Sequence, residues 1–164
     1  MIAEIEKILP TMRQAIVCFV NSRSATPLDC HENRDLACAC AIASRSLVVL
    51  LKQKGIENAR IAYGVFDEFN KFKRKKPIDT DINHAWVEIG DIVIDLTTSQ
   101  FVDRKGKRFP DMIITSTNDK RYIKMGNASD KSLIPFSEWP HQQIPRKKYI
   151  NKILRNFEDL STTI

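Results

Sequence analysis

A cysteine, a histidine and an aspartate occur in this chain in an order that suits an activated thiol nucleophile. Cys40 opens the stretch CAIASRSLVVLLKQKG, and His84 and Asp95 lie in NHAWVEIGDIVIDLTTSQF. In such an arrangement the thiolate attacks a carbonyl carbon, the imidazole takes and returns the proton, and the carboxylate holds the imidazole in one tautomer. The three residue types predict a catalytic triad, provided that the fold brings them together.

The segment from His84 to Leu96 has the pattern of a β-hairpin. Apolar and polar residues alternate on both sides of Gly90-Asp91, a pair that suits a two-residue turn. That turn gives one wholly apolar face, formed by Ala85, Val87, Ile89, Ile92, Ile94 and Leu96. On the other face Trp86 lies opposite Asp95, and His84 becomes the diagonal neighbour of Asp95. A slip of one residue would separate His84 from Asp95, so the predicted triad depends on this turn.

The segment from Leu36 to Lys54 predicts a helix, because it contains no Gly or Pro and is rich in Ala and Leu. Gly55 follows as a C-terminal stop. Cys40 lies in the first turns, where the helix dipole favours a thiolate. Cys38 would lie about 200° away around the helix, so the two cysteines cannot both face the hairpin. Either Asn33 or Asp35 is expected to cap the helix start.

These residues resemble the transglutaminase-like branch of the papain-like thiol enzymes, and small bacterial members most of all. The matching strings are C-x-x-x-S on a helix, L-x-x-x-G at its end, then H-A-W-V-E and D-L-T-x-x-Q-F, within residues 36–101. Lasso-peptide leader peptidases are a more distant likeness. The resemblance implies a papain-like α+β core with Cys40 as nucleophile, His84 as base and Asp95 as the orienting acid. It also implies hydrolysis or exchange of amides, or deamidation of glutamine side chains.

Four further residues are considered around the triad, besides the backbone of Cys40 itself. The Cys40 backbone N–H would donate to the oxyanion. The resemblance implies a second donor from a polar residue upstream of the nucleophile, for which Asn33 is the candidate. Trp86 is expected to form a wall beside the site. Gln100, like Thr97, either orients the site or ends the strand. The predicted chemistry requires no cofactor.

The composition is that of one globular domain spanning residues 1–164, with 43% apolar and 28% charged residues. No apolar run approaches membrane-spanning length. The opening MIAEIEKILP lacks the basic leader and long apolar segment of a Sec signal, and the four cysteines do not form a disulfide framework. A reducing cytoplasm is therefore expected, although delivery by a non-Sec route would leave no mark in the sequence.

The remaining apolar patterns predict the other elements of an α+β domain, in which the Cys-bearing helix packs on a small antiparallel sheet. They indicate two short helices joined near Pro10, strands at Arg60–Phe66, Asp111–Thr117 and Arg121–Met125, and an amphipathic helix from Ile150 to Leu160.

Positive charge suggests an alternative function. The net charge is +6, and basic clusters occur at Lys71–Lys76, Arg104–Arg108 and Arg146–Lys148. Such clusters can bind phosphates, which would suit a non-catalytic module for nucleic acid or for an acidic protein. No nucleic-acid-binding motif accompanies them, so a solvated loop that favours an acidic protein or peptide substrate is the preferred interpretation.

A metal site is the second alternative. Cys30, His31, Cys38 and Cys40 are potential soft ligands within eleven residues. Their spacing does not match paired zinc knuckles, and a helix would separate Cys38 from Cys40. The sequence therefore predicts no metal.

The function predicted from the sequence is a thiol-dependent enzyme acting on amide bonds of a protein or peptide, either a peptidase or a glutamine deamidase. An amine-accepting acyltransferase of the transglutaminase type remains an alternative, because no motif encodes whether water or an amine accepts the acyl group. The pattern indicates neither the substrate nor the oligomeric state.

Overall fold

The computed structural model describes residues 2–22, 39–67, 84–128 and 147–162. Within these ranges the chain forms three α-helices and five β-strands. The helices are α1 (Ile2–Val20), α2 (Cys40–Gln53) and α3 (Lys147–Ser161). The strands are β1 (Arg60–Phe66), β2 (His84–Ile89), β3 (Ile92–Asp95), β4 (Ile113–Ser116) and β5 (Tyr122–Ala128).

All five strands belong to one antiparallel sheet with the order β4-β3-β2-β1-β5. The predicted α+β class is therefore confirmed. So is the hairpin, because Val87 pairs with Ile94 and Ile89 pairs with Ile92 around the two-residue turn. Gly90 has a φ of 57°, which the primed hairpin turns require at their first position.

The sheet has two differently covered faces. Helix α2 packs on its inner face against β1 and β2, and α1 and α3 pack against α2 and against each other. Val87, Ile89 and Ile94 join the helical side chains in this larger core. The outer face carries a smaller cluster, in which residues after β3 pack against aromatic side chains of the sheet. The buried members of that cluster are Ala62, Phe66, Trp86, Val93, Ile113 and Tyr122, and the half-buried Phe101 and Phe109 cover them.

The first helix is continuous, so the prediction of two short helices joined near Pro10 is wrong. Pro10 lies inside α1, where it removes one backbone donor. The buried positions keep helical spacing on both sides of the proline; they are Ile5, Leu9, Met12, Ala15, Ile16 and Phe19. Burial of this continuous apolar stripe outweighs the local cost of the proline, because tertiary packing supplies most helix stability.

The cysteine helix begins at Cys40, four residues later than predicted. Its N-cap is Ala39, which has no capping side chain, and the predicted caps Asn33 and Asp35 lie outside the described residues. Helix propensity alone does not determine where a helix begins. The C-terminal stop is confirmed, since Gly55 follows α2 with a φ of 84°.

Several predicted residues lie outside the described ranges, namely Cys30, His31, Asn33, Cys38 and the basic segment 71–76. The strands predicted at Asp111–Thr117 and Arg121–Met125 correspond to β4 and β5, and the C-terminal helix is α3. Among the described helices, none is both long and apolar enough to cross a membrane.

Candidate active site

His84 and Asp95 form a buried pair at one end of the sheet. His84 is the first residue of β2 and Asp95 the last of β3, so the hairpin brings them together. The His84 Nε2 atom lies 2.5 Å from Asp95 Oδ2, and both side chains are almost completely buried. The diagonal relation predicted from the turn is thus realised as a direct hydrogen bond.

The other contacts of Asp95 come from neutral donors. The backbone N–H and the hydroxyl of Thr97 donate to Oδ1 at 2.9 and 3.1 Å. The Tyr122 hydroxyl donates to Oδ2 at 3.1 Å. With His84 Nε2, four polar groups hold one carboxylate, which satisfies a buried charge that would otherwise be costly.

The pKa of His84 reflects its surroundings. Burial lowers this pKa, but the charge of Asp95 and its hydrogen bond to the ring outweigh burial and raise the pKa to about 10. The neighbouring Cys40 side chain contributes in the same direction. These surroundings therefore favour the imidazolium form of the His84 ring.

The nitrogen left for Cys40 is Nδ1. This atom is buried and makes no hydrogen bond within the described residues, whereas Nε2 is bound to Asp95. Cys40 is therefore an electrostatic neighbour of the His84 ring, with no hydrogen bond formed to Nδ1 among the described residues. When the neutral ring keeps its proton on Nε2, Nδ1 is the atom able to accept the thiol proton.

Cys40 itself is the first residue of α2 and is 2% exposed. The first N–H groups of a helix have no acceptor within the helix, and the described hydrogen bonds of α2 begin with Ala43 N–H donating to the Ala39 carbonyl. Ala39 at the N-cap offers these groups no side-chain acceptor. The N–H groups of a helix start can stabilise a developing negative charge next to the thiol.

The other predicted site residues within the described ranges lie near the pair. The Trp86 ring centroid is 6.1 Å from that of His84, and its indole N–H donates to Glu88 Oε1 at 3.3 Å. The Gln100 amide donates to the Thr97 carbonyl at 2.9 Å and to the Thr97 hydroxyl at 3.2 Å, so it braces a residue that holds Asp95. A substrate-binding role for Trp86 and Gln100 stays a prediction, as does an oxyanion role for Asn33.

Sequence reasoning missed Tyr122. Its strand, β5, lies three positions from β3 in the sheet, which in a flat sheet would be about 14 Å. The long tyrosine side chain reaches Asp95 across the outer face of the two strands between them. No local pattern around Tyr122 encodes this contact, because it depends on the order of strands in the sheet.

Sequence reasoning also missed the second buried carboxylate, Glu88. Its Oε2 accepts from Arg60 at 3.2 Å and from Lys124 at 2.6 Å. A cavity of about 250 Å³ lies at this end of the outer face, and its lining includes Trp86 and Tyr122 but none of the three predicted triad residues. The cavity and the candidate triad are therefore separate places on the same face.

Comparisons of the chain with protein-family models, with curated proteins and with solved structures gave no match.

Proposed function

We propose that this protein is a thiol-dependent enzyme that acts on amide bonds of a protein or peptide through Cys40, His84 and Asp95. Within the proposal, the core is of the papain-like, transglutaminase-like type, and the reaction is hydrolysis by a peptidase or deamidation of glutamine side chains. The observation that carries it is the buried imidazole with Nε2 bound to Asp95 and an unpartnered Nδ1 beside a cysteine at a helix start.

The first half of the proposed reaction forms a thioester. The Cys40 sulfur attacks the carbonyl carbon, and the carbonyl π electrons move onto the oxygen, where the Cys40 N–H can donate to them. When the tetrahedral intermediate collapses, the C–N bond breaks and the amine leaves with the proton held on His84 Nδ1. Asp95 keeps the ring in the orientation that presents Nδ1 throughout.

The second half regenerates the thiol. Water attacks the thioester carbon while His84 Nδ1 accepts its proton, and the C–S bond then breaks. A carboxylic acid leaves, and Cys40 and His84 return to their starting state. If an amine replaced water at this step, the same residues would perform acyl transfer, which is the alternative within this proposal.

The burial of the site sets a condition on this activity. Cys40 is 2% exposed and His84 is fully buried, so a substrate carbonyl cannot reach the sulfur in the conformation described. The proposed enzyme must open before it reacts, as many enzymes do by loop movement.

Thiol alkylation tests the proposal without knowledge of the substrate. At about pH 6, brief exposure to iodoacetamide followed by mass-spectrometric mapping should label Cys40 faster than the exposed Cys18, because only Cys40 has an imidazolium neighbour. His84→Ala should remove this preference. Labelling of Cys18 before Cys40 in the unaltered protein would contradict the proposal.

The acceptor is identified by a product assay. A glutamine-containing peptide is incubated with the protein, with and without methylamine, and the products are identified by mass spectrometry. Glutamate, a cleaved backbone and a methylated amide correspond to deamidase, peptidase and acyltransferase activity respectively. Cys40→Ala is the control that should form none of them.

A further inference from the structure

The carboxylate of Asp95 is held on both of its oxygens. Oδ1 accepts two hydrogen bonds from Thr97, and Oδ2 accepts one from Tyr122 and one from His84. A carboxylate with only one partner could turn about its side-chain torsions. Because Tyr122 of β5 holds one oxygen and Thr97 holds the other, the plane of the carboxylate is fixed relative to the His84 ring.

Tyr122 remains a donor under all ordinary conditions. Burial raises the pKa of its phenol, and the negative charge of Asp95 raises it further. The hydroxyl therefore keeps its proton whenever Asp95 is ionised, and it adds no charge that would compete with His84. A neutral donor of this kind stabilises the ionised carboxylate in apolar surroundings.

The aromatic ring of Tyr122 has a structural role that is separate from the role of its hydroxyl. Its centroid lies 5.0 Å from that of Phe66 and 5.1 Å from that of Trp86, both in edge-to-face contact. These contacts belong to the ring and not to the hydroxyl. Replacing Tyr122 by phenylalanine therefore separates the hydrogen bond from the packing.

We propose that Tyr122, together with Thr97, is a positioning residue for the reaction, because it fixes the Asp95 carboxylate that orients His84. This inference rests on the proposed function and goes beyond it by adding a fourth side chain from a distant strand. Through Asp95, Tyr122 keeps His84 Nε2 engaged and Nδ1 directed to the thiol. Without the hydroxyl, the ionised carboxylate is less stable, and the imidazolium and thiolate that depend on it are less populated.

The test measures the pH profile of Cys40 alkylation in Tyr122→Phe. At about pH 6 the rate should fall about tenfold, the effect of losing one hydrogen bond to a charged group. At about pH 9.5, where a thiol ionises without assistance, the rate should match that of the unaltered protein. Tyr149→Phe is the matched control, because Tyr149 is a buried tyrosine on α3 that packs against Phe19 in the larger core, whereas Tyr122 belongs to the cluster on the outer face.

Substitutions of Thr97 provide a second, independent test of the inference. Thr97→Val removes the hydroxyl but keeps the backbone N–H, so its rate at about pH 6 should fall less than that of Tyr122→Phe. Thr97→Ser should restore the rate, because it keeps the donor to Oδ1. If Tyr122→Phe does not fold, the alkylation rates of Thr97→Val and Thr97→Ser are compared instead. A slower rate in the valine variant alone shows that the reaction depends on the hydrogen bonds to Asp95, and equal rates show that it does not.

The outcomes separate this inference from the proposed function. Absence of any preference for Cys40 in the unaltered protein would overturn the proposed function, and the inference with it. A clear preference combined with a Tyr122→Phe profile identical to that of Tyr149→Phe would overturn the positioning role alone. A loss of rate that persists unchanged to about pH 9.5 would also overturn it, since a loss of access or packing has no reason to depend on thiol ionisation.

Discussion

Two buried carboxylates lie on the same face of the same hairpin, and their partners differ in kind. Glu88 binds Arg60 and Lys124, whose side chains are 51% and 34% exposed and carry a permanent charge at neutral pH. Asp95 binds His84 and neutral donors, and all of them are buried. The first carboxylate is neutralised by fixed charges, whereas the second has a partner that can gain and lose a proton.

The difference indicates what each carboxylate can do. An ion pair with lysine or arginine can stabilise structure, but it does not exchange protons near neutral pH. A carboxylate that holds an imidazole can control proton transfer by fixing its tautomer. The neighbouring cavity also lies at the Glu88 end, where both cations of its lining already bind Glu88.

The largest expected difference between the two carboxylates concerns reactivity. Asp95→Asn should lower activity on a verified substrate by about two to four decades, because the amide can hold the wrong imidazole tautomer. Glu88→Gln removes the same charge from the same face and should change activity by less than about threefold if it folds. The measurement is kcat/KM for both variants beside the unaltered protein. Equal losses in the two variants would show that the reaction responds only to the total charge of this face.

The second difference concerns folding stability. Glu88→Gln should lower the free energy of unfolding by about 2 kcal/mol, because two cations lose their carboxylate but remain partly hydrated. Arg60→Met is the milder control, with an expected loss of less than about 1 kcal/mol for a half-exposed partner. Urea denaturation of the three proteins gives these values. If Glu88→Gln were as stable as the unaltered protein, the ion pairs of Glu88 would not contribute to folding stability.

The third difference is in the pH dependence of stability, and it is the smallest when counted per pH unit. The pKa of His84 is raised from 6.5 to about 10, so the stability from its protonated form is fully present below about pH 6.5. It is lost as the pH rises toward 10, with a slope of at most about 1.4 kcal/mol per pH unit for one proton. Asp95→Asn should flatten this slope between about pH 7 and 9, because the imidazolium loses its partner.

Denaturation at several pH values measures the slope, and Glu88→Gln provides its control. That variant should keep the slope of the unaltered protein, since it leaves the hydrogen bond between His84 and Asp95 in place. A slope that survives in Asp95→Asn would assign the pH dependence to other groups.

The local sequence pattern was sufficient to predict the hairpin, but it was not sufficient to predict the contacts that surround the hairpin. Alternation around Gly90-Asp91 gave the register and the proximity of His84 to Asp95, because these relations span only eleven residues. The prediction failed at Pro10, where packing of the whole α1 stripe outweighs a local helix breaker. It could not find Tyr122 or the partners of Glu88, because these contacts join strands that are distant in the sequence.

An irregularity in the pairing of β1 with β5 determines which donors reach the two carboxylates. Tyr63 pairs with Gly126, but Gly64 pairs with Lys124, so Met125 is an extra residue on β5. Side chains alternate between the faces of a strand, and one added residue therefore reverses the face of every position beyond it. If β5 paired with β1 regularly through Met125, Tyr122 and Lys124 would point to the inner face, away from Asp95 and Glu88. The bulge at Met125 thus provides both carboxylates with a donor from the same strand, and regular pairing would remove both donors together.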